Sequence, residues 1–233
     1  MMRTRSTTRT PLATAAVAAV AALALTGCSG GSDFADSSAE DIITAASEDM
    51  QALESVHIDA DITTDGQQIT LDISLDTDGA CTGTVGLGEG TAEIVSVDGQ
   101  SWFKADQALY EALVGEQAEQ ITAVVGDNWV ADEQGQFGSF CDLDSLLEDI
   151  GDPEAGNAEK DGTEEVDGEE AVRLVSEDEG DTTTAFVAVD EPHHILRVEV
   201  EGDNAGEATF SEFDETVEAE APAEDEIVEL PGA

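Results

Sequence analysis

The sequence predicts an α+β chain that is mainly β: an antiparallel meander of about ten strands, interrupted by a helical insert. Three observations predict it. Apolar and polar residues alternate with period two from Val56 to Leu75, and again in runs between Val166 and Val200. Asp-Gly pairs punctuate the first set of runs at Asp65-Gly66, Asp78-Gly79 and Asp98-Gly99, a strong local signal for tight hairpins. Between the two strand-rich parts, from about Ala105 to Ile150, apolar residues recur at helical spacing instead.

Each element follows in order. Ser37 with Glu40 three residues on forms a capping box, so a helix is expected to bury Ile43, Ala46, Met50 and Leu53. Val56, Ile58, Ala60 and Ile62 make the inward face of a first strand, and Ile69, Leu71, Ile73 and Leu75 that of a second. A third strand runs through Cys81, Val85 and Leu87, a fourth around Ile94 and Val97, and a fifth around Trp102 and Phe103. In the insert, Asp106 caps a helix with Leu109, Tyr110 and Leu113, and a second helix carries Ile121, Val124 and Val125 before Gly126. Asn128-Trp129-Val130 is a short extended piece. Phe137, Phe140, Leu143, Leu146, Leu147 and Ile150 form one more apolar stripe, expected as a single amphipathic helix. Residues 151–162 read as an exposed loop. Strands then return around Val166, Leu174, Phe186 and Val198, with a last one at Ala208, Phe210 and Phe213.

The N-terminus carries a different message. Arg3, Arg5 and Arg9 precede an apolar stretch from Leu12 to Leu25, and Leu25-Thr26-Gly27-Cys28 closes it. This order of basic, apolar and cleavage regions is that of a secretory signal. The last four residues resemble the lipobox of bacterial lipoprotein precursors. That resemblance implies cleavage after Gly27, a diacylglyceryl or palmitate-type anchor on Cys28, and a protein held at the extracytoplasmic face of a cell membrane. The apolar run is shorter than the ~20 residues a membrane span requires, which argues against a signal anchor. The expected organisation is residues 1–27 signal peptide, 28–37 lipidated flexible tether, 38–215 folded domain and 216–233 acidic extended tail.

Charge excludes several functions. After cleavage only Lys104, Lys160, Arg173 and Arg197 face 55 Asp and Glu, a formal net charge of −51. Nucleic-acid binding needs cations to displace counterions from phosphates, and this chain has almost none. Membrane association rests on the lipid and not on a basic patch. With 40% hydrophobic residues and clear periodicity, the acid reads as the surface of a folded, salt-adapted (halophilic) domain, not as disorder. Once Cys28 is lipidated, Cys81 and Cys141 are left as an even pair in an oxidising compartment. They are expected to form a disulfide; two buried free thiols are the alternative. Metal ligation would need histidines at ligand spacing, and His57, His193 and His194 show none relative to either cysteine.

Four weak motifs together resemble the actinobacterial lipoproteins of the LppX/LprG/LprA/LprF group, which have LolA-like half-barrel domains. They are Val97-Asp98-Gly99-Gln100-Ser101-Trp102-Phe103-Lys104, Asn128-Trp129-Val130, the hairpin from Glu165 to Leu174, and Asp190-Glu191-Pro192-His193-His194-Ile195-Leu196-Arg197. Asn128 stands where that group usually has Lys. The resemblance implies a strongly curved open antiparallel sheet, with helices covering its concave face over an apolar cavity. Ile58, Leu71, Ile73, Phe103, Leu146, Leu174, Phe186, Val198 and Phe210 are the residues expected to line it. The function so implied is non-enzymatic binding of a lipid or other apolar ligand in the cell envelope, without a cofactor or bound metal. The second reading is a sensor or protein-interaction module that regulates an envelope partner without carrying lipid, the partner being unspecified.

Other motifs carry less. Gly27-Cys28-Ser29-Gly30-Gly31 matches a nucleophile elbow but lacks the strand before it and is cut by lipoprotein processing. Gly86, Gly88 and Gly90 look like a phosphate loop, yet no helix N-terminus follows, so a bend in the sheet explains them better. Adjacent strand residues face opposite ways, which separates His193 from His194 as metal ligands. No nucleophile–base constellation points to catalysis.

Overall fold

A computed structural model describes residues 30–64, 66–133, 135–151, 157–178 and 180–228. Cys28 and the signal segment lie outside them. Two helices come first, α1 (Gly30–Ala35) and α2 (Ala39–Gln51), followed by the five-strand meander β1 (Ser55–Thr64), β2 (Gln67–Asp76), β3 (Cys81–Leu87), β4 (Gly90–Val97) and β5 (Gln100–Ala105). The insert contains α3 (Gln107–Val114), α4 (Ala118–Val125), the short strand β6 (Trp129–Ala131) and α5 (Leu143–Gly151). The second meander is β7 (Glu159–Val166), β8 (Glu169–Asp178), β9 (Asp181–Ala188), β10 (Ile195–Glu201) and β11 (Gly206–Ser211), and β12 (Ile227–Val228) ends the described chain.

All twelve strands belong to one sheet, in the order β12-β6-β5-β4-β3-β2-β1-β11-β10-β9-β8-β7. Every pairing is antiparallel except β12 with β6. The sheet is open and curled into a LolA-like half-barrel, with helices against its concave face. β1 is the hinge of the topology, paired to β2 on one side and to β11 on the other. The two meanders therefore become two halves of one curved sheet.

The hairpins form for the reason their sequences suggest. Asp98 and Gly99 have φ of 53° and 75°, and Asp167 and Gly168 have 50° and 96°. Two successive positive φ values make the turn whose twist matches the flanking strands, and Asp-Gly tolerates them best. Alternation then sends Val56, Ile58, Ala60, Ile73, Leu75, Cys81, Val85 and Ile94 to the concave side, where α2 adds Ile42, Ile43, Ala46 and Met50. Full burial of such a side chain contributes about 1.5–3 kcal/mol. A second, smaller cluster of Val166, Ala171, Phe186, Ala188 and Leu196 lies on the convex face. Gly90 is required where α3 crosses β4: a β-carbon there would collide with the backbone of Leu109.

Several elements differ from the sequence reading. The cap of α2 is Ser38, whose hydroxyl accepts from the Asp41 N–H at 3.2 Å, one residue beyond Ser37. Leu113 and Val124, apolar positions of the expected insert helices, are 44% and 56% exposed, because α3 and α4 turn Leu109, Tyr110, Ala118 and Val125 inward. The apolar stripe after Phe137 is not one helix. Residues Gly138–Cys141 form a 3₁₀ turn, and α5 begins after Asp142, whose carboxylate caps it through the Ser145 N–H. The loop expected over 151–162 gives way to β7 at Glu159, which pairs with β8 through its backbone although seven of its eight residues are exposed. The tail also holds more than extended chain: Ile227 and Val228 pair with Trp129 and Val130 at the far edge of the sheet.

Candidate functional site: an apolar cavity under the helices

A cavity of about 530 Å³ lies between the helices and the concave face of β1 and β8–β11. Its floor is one continuous row of register partners, Leu174, Ala185, Val198, Ala208, Ala60 and Leu71, crossing six strands from β8 to β2. Three of the six are alanines. A row of larger residues would reach the helices and close the space; alanines leave it open. Ile43, Ala46 and Ser47 of α2 and Leu146 of α5 form the roof, with Asn157 and Ala158 beside them.

The cavity has two unlike ends, set by strand direction. Ile58, Val187, Ile195 and Phe210 line the end toward the β9–β10 turn and are all buried. Ile62, Ser176, Glu177, Asp178 and Thr183 line the opposite end, beside the β8–β9 turn, and are exposed or half-buried. The mouth is therefore polar and the base apolar. The volume sits within the ~300–1,000 Å³ typical of small-molecule sites.

A covalent tie holds the roof. The sulfurs of Cys81, at the start of β3, and Cys141, in the 3₁₀ turn before α5, are bonded, with Cα atoms 5.5 Å apart. Cys141 and the capping Asp142 thus set where α5 starts. Leu143 and Leu147 anchor α5 in the core while Leu146 reaches the cavity.

Of the nine residues expected to line the cavity, Ile58, Leu71, Leu146, Leu174, Val198 and Phe210 do so. Three do not. Ile73 is wholly buried in the packed core beside it. Phe103 lies in the other half of the sheet, with ring centroids 4.6 Å from Phe137 and 6.5 Å from Tyr110. Phe186 points to the convex face, because alternation along β9 turns Ala185 and Val187 inward. There the guanidinium carbon of Arg197 lies 4.3 Å from its ring centroid and that of Arg173 at 5.9 Å. Ala60 and Ala208 are read as strand positions in the sequence but not as cavity lining, and Ala185 is not singled out. Their signal was present: each alanine sits two residues from a larger inward apolar residue, Ala60 from Ile58 and Ile62, Ala185 from Val187 and Ala208 from Phe210.

Chemically the cavity offers containment. Among the described residues its lining contains carboxylates and hydroxyls but no His, Cys, Lys or Arg. The histidines sit elsewhere: His57 Nδ1 is 3.0 Å from Ser74 Oγ, His193 stacks on Phe34, and His194 is buried against Phe213. Burial lowers the His194 pKa below the usual imidazole value. Burial raises that of Tyr110, in the filled half. No group of three or more His, Cys, Asp or Glu with metal-holding geometry exists among the described residues. Trp102 is buried and Trp129 half-buried; neither lines the cavity.

No protein-family model matches the sequence, and no curated protein sequence matches it. The fold has solved counterparts. The chain is similar to LprF from Mycobacterium bovis, with a TM-score of 0.58 at 14% identity, over 79% of this chain and 97% of that one. It also matches the Mycobacterium tuberculosis lipoprotein LppX, at TM-score 0.45 and 17% identity, over 78% and 98% of the two chains. A match to the Pseudomonas aeruginosa MucA/MucB complex is weaker, at TM-score 0.34, 17% identity, and 80% and 59% coverage. At these identities the likeness concerns architecture. Among the described residues no helix is long and apolar enough to cross a membrane. By fold, this chain is a LolA-like half-barrel built on the same plan as LprF.

Proposed function

We propose that this protein is a non-enzymatic, lipid-anchored envelope protein that binds a lipid or other apolar ligand between its helices and its sheet. One observation carries the reading: the alanine-floored apolar cavity, sealed at its base and open at a polar mouth. A protein interior packs to crystal-like density, so a space of this size under a roof tied by a disulfide needs a reason. An apolar ligand supplies one. Anchorage through Cys28 places the half-barrel of residues 38–215 outside the cell and against the membrane, where such ligands reside. Within the acidic tail, Ile227 and Val228 join the sheet beside β6 as β12.

Native mass spectrometry of the protein purified from membranes tests the reading, with a copurifying lipid as the expected result. The second arm uses the mature chain carrying Cys28→Ser and the fluorescent apolar probe N-phenyl-1-naphthylamine. Probe emission is expected to rise on binding. Ala60→Phe and Ala185→Phe, made separately, fill the floor and are expected to weaken binding at least about tenfold. Far-UV circular dichroism checks that each variant is folded. Folded, filled variants that bind the probe as tightly as the parent chain would overturn the proposal.

A further inference from the structure

We infer that the cavity selects amphiphiles with a cationic head, an amine or quaternary ammonium, over those with an anionic head. This rests on the ligand-binding reading above and deepens it. The base and floor are apolar and suit a hydrocarbon body. The lining carboxylates lie at the mouth, where Ser176, Glu177, Asp178 and Thr183 gather at the end of the β8–β9 hairpin; the other polar lining residues, Ser47 and Asn157 by the roof, are uncharged. Glu177 and Asp178 are exposed, and their carboxylates take no hydrogen bond or ion pair among the described residues. Asp181 at the same hairpin differs: it accepts from the Asp203 N–H at 2.8 Å and from Asn204 Nδ2 at 3.0 Å.

Among the described residues no Lys, Arg or His lines the mouth to offset these two. Lys160 is the nearest cation by register, opposite Leu174. Its ammonium is committed to the carbonyls of Ala35 and Ser37, at 2.6 and 3.0 Å, and it does not line the cavity. Arg173 and Arg197 flank Phe186 on the convex face and pair with Asp161, Glu164 and Glu199. An anionic head brought to the mouth meets two like charges and the field of the whole acidic chain. A cationic head gains from both.

The test displaces N-phenyl-1-naphthylamine from the Cys28→Ser chain with three amphiphiles of equal chain length, all below their micelle concentrations, in about 0.1 M salt. They are dodecyltrimethylammonium, dodecyl maltoside and dodecanoate. The expected affinity order is cation, then neutral, then anion. Glu177→Gln with Asp178→Asn is expected to compress the cation-to-anion ratio about tenfold. The distant pair Glu111→Gln with Glu119→Gln, which removes the same charge from α3 and α4, leaves the ratio within about twofold. Equal displacement by all three, or equal compression by both double variants, overturns the selectivity while the binding reading stands. Failure of every amphiphile to displace a bound probe overturns both.

Discussion

The two halves of this sheet share one curvature and one hydrogen-bond ladder, yet one is filled and the other hollow. In the β2–β6 half, Phe103, Phe137 and Tyr110 pack against one another beneath α3 and the 3₁₀ turn. In the β8–β11 half, Ala185, Val198 and Ala208 stand at inward positions, and the space above them stays open. Charge divides the same way. Strands β7–β10 carry eleven Asp and Glu, whereas β2–β5, of nearly equal length, carry three. Side-chain volume, not backbone architecture, decides which half of this sheet is left hollow. The hollow half is also the more strained electrostatically, so it should be the first to open.

Salt gives the largest effect. Between about 0.01 M and 1 M the screening length falls from roughly 30 Å to roughly 3 Å, which removes repulsion between all but neighbouring carboxylates. With 55 acids against seven Lys and Arg, stability is expected to rise by several kcal/mol, on the order of the whole stability of a domain. Hydrogen exchange at low salt is expected to show β7–β10 losing protection before β2–β5. A melting temperature flat across this range, or earlier opening of β2–β5, breaks the comparison.

Next comes the covalent tie. Cys81 and Cys141 are 60 residues apart, and removing such a bridge costs about 4 kcal/mol in the chain-entropy model. Cys81→Ala with Cys141→Ala should lower the denaturant midpoint accordingly. Because the bond fixes the start of α5, it should also loosen the roof, read as faster exchange in α5 and weaker probe binding. A variant as stable as the parent would show the roof to be held by packing alone.

Paired substitutions then address volume directly. Phe137→Ala in the filled half removes a side chain only 7% exposed and is expected to cost about 3 kcal/mol. Ala185→Phe in the hollow half adds a ring where space exists, and should cost less than about 1 kcal/mol, against the ~1–3 kcal/mol usual for overpacking a core. Equal penalties from urea unfolding of the two variants would mean the hollow half is packed as tightly as its neighbour.

Much of this was legible in the sequence, and what escaped has physical causes. Period-two alternation and Asp-Gly turns located β1–β5 because both signals are local. β7 escaped because its residues are nearly all polar: its strand state comes from β8 supplying backbone partners, not from its own pattern. β12 escaped for a stronger version of that reason, since its partner β6 lies about a hundred residues away. Phe103 and Phe186 were expected in the cavity because size draws attention, whereas a cavity is lined where residues are small. Six of the nine expected residues do line it, all on strands or helices whose period was plain.

The smallest effect concerns a buried histidine outside the cavity, beside the β9–β10 turn of the hollow half. His194 is 7% exposed, with its ring centroid 4.1 Å from that of Phe213. Burial lowers its pKa. The carboxylates of Asp214, Asp49 and Glu169 act against that shift, His193 acts with it, and burial prevails. The sign of the pH dependence follows from linkage. In the unfolded chain His194 takes a proton near the ordinary imidazole value of about 6.5, while in the folded chain it stays neutral to lower pH. Its contribution to stability is therefore intact above about pH 6.5 and is lost as pH falls from there through the folded-state pKa. Molar salt quiets the diffuse carboxylate background and isolates this group. Under that condition the stability gap between the parent chain and His194→Gln should narrow as pH falls from 7.5 to 5. An imidazole signal titrating below the unfolded value in nuclear magnetic resonance would agree. A gap that stays constant or widens would mean that His194 is protonated in place, with the carboxylates of Asp214, Asp49 and Glu169 outweighing its burial.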